Sequence, residues 1–204
     1  MCRLGLVSDT HLPTTSGLPS LLLEAFRGTE AILHAGDVVD VDCLDLLTRL
    51  APLYLVSGNS DPPEVGARCG WRRALRWRGW RIGLVHGDAG HGYNTPHRAR
   101  NAFRHEPPAW EEIPVLPPVP SDLPRSCVPV PPGLPATGGL GGPTSAEFDC
   151  IIFGHSHAPF CSLMDGVLMI NPGSPTERRH QPRGSFAILD CCAGGSLEVR
   201  FSYV

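Results

Sequence analysis

The chain has 204 residues, 42% of them hydrophobic, and a formal net charge of −3 at pH 7. This length suits a single domain, and the hydrophobic fraction is large enough for a sizeable core. The weakly acidic balance gives no electrostatic basis for binding nucleic acid or an anionic membrane, and no apolar run reaches the roughly 18–20 residues that span a bilayer.

The N-terminus and the cysteines both predict a cytoplasmic protein. The first apolar run is short and is followed at once by Ser8 and Asp9, which is typical of a buried strand and not of a signal peptide. The eight cysteines form no C-x-x-C pair, and Cys191 and Cys192 are adjacent. We therefore expect reduced cysteines that act as small hydrophobic side chains, and neither a disulfide framework nor a zinc site.

Strands and helices alternate in the first part of the chain. Strands are predicted at residues 4–8, 31–35 and 53–57, and helices at residues 18–27 and 41–50. This β-α-β-α-β order implies parallel strands joined by right-handed crossovers. Strands of that kind carry their functional side chains at their carboxyl ends.

The later part of the chain predicts mostly antiparallel strands. Residues 72–77 and 80–85 form a predicted hairpin around Arg78-Gly79, and Asn94 is expected to cap a helix that runs to about residue 104. Further strands are predicted at residues 150–153, 160–163, 167–170, 185–190 and 197–203. All these elements together predict an α/β protein in which two sheets pack face to face with helices outside.

Residues 107–145 interrupt this pattern because they are rich in proline and contain two Gly-Gly pairs. Neither helix nor strand is expected at this density of proline and glycine. We interpret the segment as an insertion into one domain that spans residues 1–204. Two alternatives remain for it: a passive loop that is extended or disordered, or a lid or partner-docking tract.

Residue types that bind metals follow five of the predicted strands. They are two carboxylates, one amide and four imidazoles: Asp9, Asp37, Asn59, His11, His86, His155 and His157. Any one of them alone is explained by a turn, a helix cap or an ordinary histidine. One ion rarely takes seven such ligands, whereas two ions that share a carboxylate do, and a two-metal site suits in-line displacement at phosphorus. The mixture of nitrogen and oxygen ligands favours Mn²⁺, Zn²⁺, Fe or Ni²⁺ over Mg²⁺ or Ca²⁺.

Five motifs in this order resemble the calcineurin-like metallophosphoesterases, and in particular the small YfcE-like phosphodiesterases of bacteria and archaea. The motifs are Asp9-x-His11, Gly36-Asp37, Gly58-Asn59, His86-Gly87 and Gly154-His155-x-His157, with further similarity at Asn94-Thr95-Pro96 and Asn171-Pro172-Gly173-Ser174. The resemblance covers nearly the whole chain outside residues 107–145. It implies a four-layer α/β/β/α fold, that is, a two-sheet β-sandwich flanked by helices.

The resemblance also implies roles for the ligand set. Asp9, His11 and His157 would hold a first ion, and Asp37 would bridge it to a second ion held by Asn59, His86 and His155. The expected activity is that of a dinuclear metal-dependent phosphoesterase, with diesters favoured over monoesters and a metal-bridging hydroxide that attacks phosphorus. We expect two divalent transition metal ions, with Mn²⁺ as the first choice, and a small phosphate ester as substrate. Homodimer formation is expected by analogy alone.

Further residues near these motifs are candidates for catalysis and for substrate binding. Asn59, Asp61 and His155 are the candidate catalytic residues, and Asp61 either orients a ligand histidine or caps a turn. Related phosphatases often carry a histidine directly after the asparagine as a proton donor, whereas this chain has Ser60. Arg98 and Arg178 are candidate phosphate contacts, since a guanidinium matches two phosphate oxygens.

Two alternative functions are also considered. The basic and aromatic segment 71–81 resembles a nucleic-acid-binding patch but fits an amphipathic hairpin equally well, and with the acidic net charge we expect no nucleic-acid partner. The second alternative is a non-catalytic scaffold of the same fold, as in a retromer coat subunit. Scaffolds of that kind tend to have degraded ligand sets, whereas all seven positions here carry residues that can bind metal.

Overall fold

We describe a computed structural model over residues 2–11, 17–104, 108–115, 137–140, 147–192 and 195–204. The chain forms two six-stranded sheets. The strands of the first sheet are β1 Cys2–Val7, β2 Ala31–His34, β3 Leu53–Leu55, β7 Thr137–Leu140, β11 Ser185–Cys192 and β12 Ser196–Tyr203. They lie in the order β3-β2-β1-β11-β12-β7, with β1, β2 and β3 parallel and the remaining pairs antiparallel.

The second sheet mixes parallel and antiparallel pairs. Its strands are β4 Arg72–Trp77, β5 Trp80–Val85, β6 Trp110–Glu112, β8 Cys150–Ile152, β9 Phe160–Met164 and β10 Val167–Asn171. They lie in the order β6-β4-β5-β8-β10-β9, and the β4–β5 and β9–β10 hairpins are antiparallel as predicted. The β5–β8 and β8–β10 pairs are parallel, so this part of the chain is less uniformly antiparallel than the sequence suggests.

Three apolar clusters fix the order of the layers. The central cluster joins the inner faces of both sheets, with Leu4 and Leu6 on one side and Ile82 and Ile152 on the other. Helices α1 Ser20–Phe26, α2 Val41–Thr48 and α3 Pro63–Cys69 cover the outer face of the first sheet, and α4 Thr95–Asn101 covers the second. The predicted α/β/β/α architecture is therefore confirmed.

The ends of the helices follow from local chemistry. The carboxylate of Asp40 caps α2 by accepting from the backbone amide of Asp42, and the side chain of Asn94 caps α4 by accepting from that of His97. Helix α4 ends at Asn101, three residues before the predicted end. Helix α3 was not predicted, because Pro62-Pro63 looks like a turn signal although proline is well suited to the first turn of a helix.

The prediction that residues 107–145 contain no regular structure is wrong at two places. Strand β6 pairs in parallel with β4, and strand β7 pairs antiparallel with β12. Both are edge strands, which need a partner on one side only and therefore tolerate neighbouring prolines. The rest of the segment lies outside the described residues, apart from residues 108–109 and 113–115. No helix in the described ranges is long and apolar enough to cross a membrane.

Candidate metal centre

The candidate ligands converge at one edge of the two sheets. Asp9 and His11 follow β1, Asp37 follows β2, and His86 follows β5 directly. Asn59 follows β3, and His155 and His157 follow β8. Loops that follow strands of both sheets thus bring together all seven candidate ligands that the sequence predicts.

Four of these residues have a left-handed backbone, which non-glycine residues rarely adopt. The φ angles are 55° at Asp9, 57° at Asp37, 68° at His155 and 56° at His157. This conformation turns the chain sharply as it leaves the strand, so that the side chain points back over the sheet edge. The ligand pattern therefore rests on backbone turns that the sequence alone does not reveal.

Glycines beside the ligands allow the backbone to approach the ligand side chains closely. A Cβ atom on Gly58 would lie 2.2 Å from Oδ1 of Asp37, and one on Gly154 would lie 2.8 Å from Oδ2 of Asp9. A Cβ atom on Gly36, whose φ is 90°, would lie 2.9 Å from Nδ1 of His86. These glycines are therefore required by close approach to the carboxylates and the imidazole.

The ligand atoms are spaced as they would be around bound ions. Nε2 of His157 lies 3.2 Å from Nε2 of His11 and 3.3 Å from Oδ1 of Asp9. Oδ2 of Asp37 lies 3.3 Å from Nε2 of His11 and 3.4 Å from Nε2 of His86. Neighbouring ligands on an ion with bonds of about 2.1 Å are roughly 3.0–3.4 Å apart in octahedral or tetrahedral geometry. The spacing therefore fits divalent cations.

Two sets of atoms lie close enough together to hold an ion each. One set is Asp9, His11 and His157, and the other is Asp9, Asp37 and His86, with the atoms of each set within 4.8 Å of one another. Asp37 contacts histidines of both sets, as a bridging carboxylate would, and Asp9 is shared as well. Nδ1 of His155 lies 3.0 Å from Oδ1 of Asn59, a spacing that suits two ligands of one ion.

Backbone carbonyls fix the tautomers of two histidines. Nδ1 of His86 lies 2.7 Å from the carbonyl oxygen of Ala35, and Nδ1 of His157 lies 2.5 Å from that of Glu177. Because a carbonyl only accepts, Nδ1 carries the hydrogen in both rings and the lone pair of the neutral ring is on Nε2. Nε2 of His86 is buried and has no hydrogen-bond partner among the described residues. A buried imidazole nitrogen without a hydrogen bond, next to carboxylates, is suited to a metal ion.

Burial and mutual charge shift the pKa values of the buried ligands. Burial raises the pKa of Asp9 to about 7 and lowers that of His157 to about 4. For His86, burial lowers the pKa, but the carboxylates of Asp37 and Asp9 outweigh it and raise the value to about 9. For Asp37, burial raises the pKa, but the contacts with His86 and Ser60 outweigh it and hold the value well below its usual range. The raised pKa favours the protonated ring, so a cation at His86 competes with a proton.

Asp61 connects two of the ligand loops. Its Oδ1 accepts from the backbone amides of Val38 and Val39 at 2.6 and 3.0 Å. Its Oδ2 accepts from those of Asp37 and Gly58 at 2.9 and 2.8 Å. This geometry supports the alternative in which Asp61 holds a turn, because both oxygens are occupied by backbone amides. A catalytic role for Asp61 stays a prediction.

Ser60 contacts the central carboxylate. Its backbone amide donates to Oδ1 of Asp37 at 2.8 Å, and its hydroxyl donates to Oδ2 at 3.0 Å. His34 lies behind the site, where its Nε2 is 2.9 Å from the hydroxyl of Thr10 and its Nδ1 accepts from the backbone amide of Gly36. Burial lowers the pKa of His34 to about 4, so the ring is neutral. Ser60 and His34 therefore both hold loops that carry candidate ligands in place.

The two candidate phosphate-binding arginines donate to groups of the protein. Arg98 donates from Nε to the carbonyl oxygen of Gly87 at 3.1 Å and from Nη2 to the hydroxyl of Thr95 at 3.2 Å. Nη1 of Arg178 donates to the carbonyl oxygens of Gln181 and Pro182. Burial lowers the pKa of His155, and the charges of His86 and Arg98 lower it further. Substrate contact by Arg98 and Arg178 stays a prediction.

The end of β10 and the residues that follow it support the site through contacts that the sequence does not predict. The hydroxyl of Ser174 donates to the carbonyl oxygen of Asp9 at 2.7 Å, and the side-chain amide of Asn171 donates to that of Gly154 at 2.8 Å. Oε2 of Glu177 lies 3.8 Å from Nε2 of His11. The sequence marks Asn171–Ser174 only as a motif similarity, and the position of Glu177 has no sequence signal.

Comparison with known proteins identifies the family. The sequence matches the calcineurin-like phosphoesterase superfamily domain over residues 2–109 and 142–194. A probable metallophosphoesterase of Methanothermobacter thermautotrophicus is 30% identical over 177 residues, which are 86% of this chain and 78% of that protein. A second one, from Methanocaldococcus jannaschii, is 28% identical over 86% of this chain and 69% of its own length.

Solved structures share the fold across the whole chain. Wild-type Vps29 of Entamoeba histolytica complexed with Zn²⁺ has a TM-score of 0.63 at 18% identity and covers 99% of this chain and 98% of its own. An archaeal phosphodiesterase has a TM-score of 0.60 at 18% identity, with 99% of both chains covered. Taken with the match to the family model and the archaeal relatives, the ligand motifs and the four-layer fold show that this chain belongs to the calcineurin-like phosphoesterase superfamily.

Proposed function

We propose that this protein is a dinuclear metal-dependent phosphoesterase that hydrolyses phosphodiesters. One observation carries the proposal: Nε2 atoms of His11, His86 and His157 surround the buried carboxylates of Asp9 and Asp37 at 3.3–3.9 Å. Metallophosphoesterases bind divalent metals, and this set of nitrogen and oxygen atoms suits Mn²⁺, Zn²⁺, Fe or Ni²⁺, of which Mn²⁺ is our first choice.

Each ligand has a role in this proposal. Asp9, His11 and His157 would hold one ion, Asn59, His86 and His155 would hold the other, and Asp37 would contribute to both. When bound, the two ions supply a hydroxide nucleophile at neutral pH and neutralise charge on the phosphate oxygens. The carbonyls of Ala35 and Glu177 keep Nε2 of His86 and His157 directed at the site.

The residue after Asn59 determines which leaving groups the site would favour. Ser60 has a hydroxyl that already donates to Asp37, and an unperturbed hydroxyl is too weak an acid to protonate a poor leaving group. We therefore infer a preference for esters whose leaving groups depart without strong acid assistance. The archaeal phosphodiesterase of the same fold supports diesters as the first substrates to test.

The test combines metal analysis with a hydrolysis assay. The purified protein should contain transition metal and should hydrolyse bis(p-nitrophenyl) phosphate when Mn²⁺ is added. His86→Ala should lose at least about a hundredfold in kcat/KM, because it removes a ligand in a buried position. His91→Ala is the matched control, since His91 is exposed and lies outside the ligand set. Full activity of His86→Ala would contradict the proposal.

A scaffold function is the second candidate, because Vps29 proteins share this fold. Metal binding does not separate the two candidates, since the Vps29 of Entamoeba histolytica has been crystallised with Zn²⁺. Hydrolysis does separate them. A metal-loaded protein that cleaves neither diesters nor monoesters across a panel of leaving groups would favour the scaffold.

A further inference from the structure

Two cysteines lie opposite each other on neighbouring strands of the first sheet. The pair is at the start of β1, whereas the candidate ligands follow the end of β1. Cys2 on β1 is directly opposite Cys191 on the antiparallel strand β11. Directly opposite residues of antiparallel strands point to the same face and have Cα atoms about 4.5–5.5 Å apart. A disulfide requires about 4.4–6.8 Å between Cα atoms, so the register places both thiols within bonding range. Both cysteines are free thiols in this structure.

The surroundings of this pair allow thiol chemistry. Both side chains pack at the border of the central apolar cluster and are only partly buried, so a small molecule can reach them. The guanidinium of Arg78 interacts electrostatically with both sulfur atoms, so it lies near the pair.

Burial disfavours reaction at three other cysteines in the described part of the chain. Cys43 and Cys150 are buried, and burial raises the pKa of Cys43 to about 11. Cys161 is partly exposed, but burial of its sulfur raises its pKa to about 11 as well. Thiols with a raised pKa are poor nucleophiles at neutral pH because little thiolate is present.

We propose that Cys2 and Cys191 form a redox-active dithiol that a low-molecular-weight disulfide oxidises to an intramolecular cross-link between β1 and β11. One thiolate attacks the small disulfide, which forms a mixed disulfide and releases one small thiol. The second cysteine gives up its proton and attacks the mixed disulfide, which releases the second small thiol. The protein loses two hydrogens, and the small disulfide is reduced to two thiols.

Cys192 is a built-in control for this pair. It follows Cys191 directly, so its side chain points to the opposite face of β11. Its partner across the strand pair is Ser196 on β12, not a cysteine. The proposal therefore predicts that a cross-link to Cys2 uses Cys191 and leaves Cys192 reduced.

The experiment equilibrates the full-length protein in glutathione buffers of rising oxidised-to-reduced ratio. Free thiols are then blocked with an alkylating reagent, and unreduced peptides are mapped by mass spectrometry. We expect one major cross-link that joins the peptide of Cys2 to the peptide of Cys191. It should persist in Cys192→Ser and disappear in Cys2→Ser and Cys191→Ser. The oxidised wild type should also unfold at a higher temperature than the reduced protein, because the link constrains the unfolded chain.

Three results would overturn the proposal. They are a cross-link that persists in Cys191→Ser, a bond between Cys191 and Cys192 as the main product, and mixed glutathione adducts without any cross-link. The Cys192→Ser variant keeps the test valid if another variant fails to fold, since it retains both proposed partners. Circular dichroism of the reduced variants checks the fold independently of any phosphoesterase activity.

Discussion

The four hydrogen bonds to Asp61 make Asp61→Asn the most informative single substitution. Each carboxylate oxygen accepts two backbone amides, Oδ1 from Val38 and Val39 and Oδ2 from Asp37 and Gly58. Asparagine offers one oxygen, so its NH₂ group would face two amide donors. The change keeps the shape of the side chain but removes two bonds and the negative charge that strengthened the others.

The size of the effect follows from these bonds. A hydrogen bond to a charged group contributes about 1.5–3 kcal/mol, so two lost bonds amount to about 3–6 kcal/mol. Asp61 is partly exposed, so water can satisfy some of the freed amides and the lower end of about 3 kcal/mol is expected. If this cost falls on the loops of Asp37 and Asn59, metal affinity falls by roughly a hundredfold.

The assay measures metal affinity and turnover separately. We expect the Kd for Mn²⁺, measured by calorimetry on metal-stripped protein, to rise about a hundredfold, with kcat at saturating Mn²⁺ close to that of the wild type. Asp165→Asn is the matched control, because this substitution removes the same charge from an exposed turn that contains none of the candidate ligands. An unchanged Kd together with a large fall in kcat at saturating metal would refute this reasoning. That outcome would show that Asp61 takes part in the chemistry.

Two further predictions concern Ser60 and Glu30. Ser60→His should raise the hydrolysis of phenyl diesters relative to nitrophenyl diesters by about tenfold or more, because a histidine can protonate the poorer leaving group; an unchanged ratio would count against this reasoning. Burial raises the pKa of Glu30, but hydrogen bonds from Arg78 and Trp77 outweigh it and hold the value below 4.5. Glu30→Gln should therefore lower the free energy of unfolding by about 1–3 kcal/mol at pH 7. In urea titrations this difference should shrink as the pH falls below 4.5 towards the folded-state pKa, and a constant difference would disprove the link.

Hydrophobic patterning predicts the strands of the core because nearly every residue of those strands is buried. Four of the six residues of β1 and all five of β10 are fully buried, and short apolar runs between turn signals are typical of such strands. The same reasoning fails at β7, where Gly138-Gly139 looks like a chain breaker. A Cβ atom on Gly139 would lie 2.4 Å from the carbonyl oxygen of Leu197, so the glycines are what allows this close strand pairing.

The convergence of the candidate ligands could be predicted because residue types that bind metals follow several strands whose ends meet at one edge. The residues that hold them in place could not be predicted in the same way. Ser174 donates to a backbone carbonyl 165 positions earlier in the chain, and Asn171 to one 17 positions earlier. Contacts between a side chain and a distant backbone group leave no period or spacing in a sequence, since any residue can supply the carbonyl.

The left-handed backbone at four candidate ligands costs free energy, and hydrogen bonds around these residues offset that cost. A non-glycine residue in this conformation costs about 1 kcal/mol, so Asp9, Asp37, His155 and His157 together cost roughly 4 kcal/mol. A typical domain has a net stability of only about 5–15 kcal/mol, so this cost has to be offset locally. The carboxylate of Asp61 holds the turn at Asp37, and the carboxylate of Asp9 accepts from the backbone amide of His155 at 3.0 Å. The supporting contacts are therefore tied to the ligand turns, and their loss should weaken metal binding more than it weakens the apolar core.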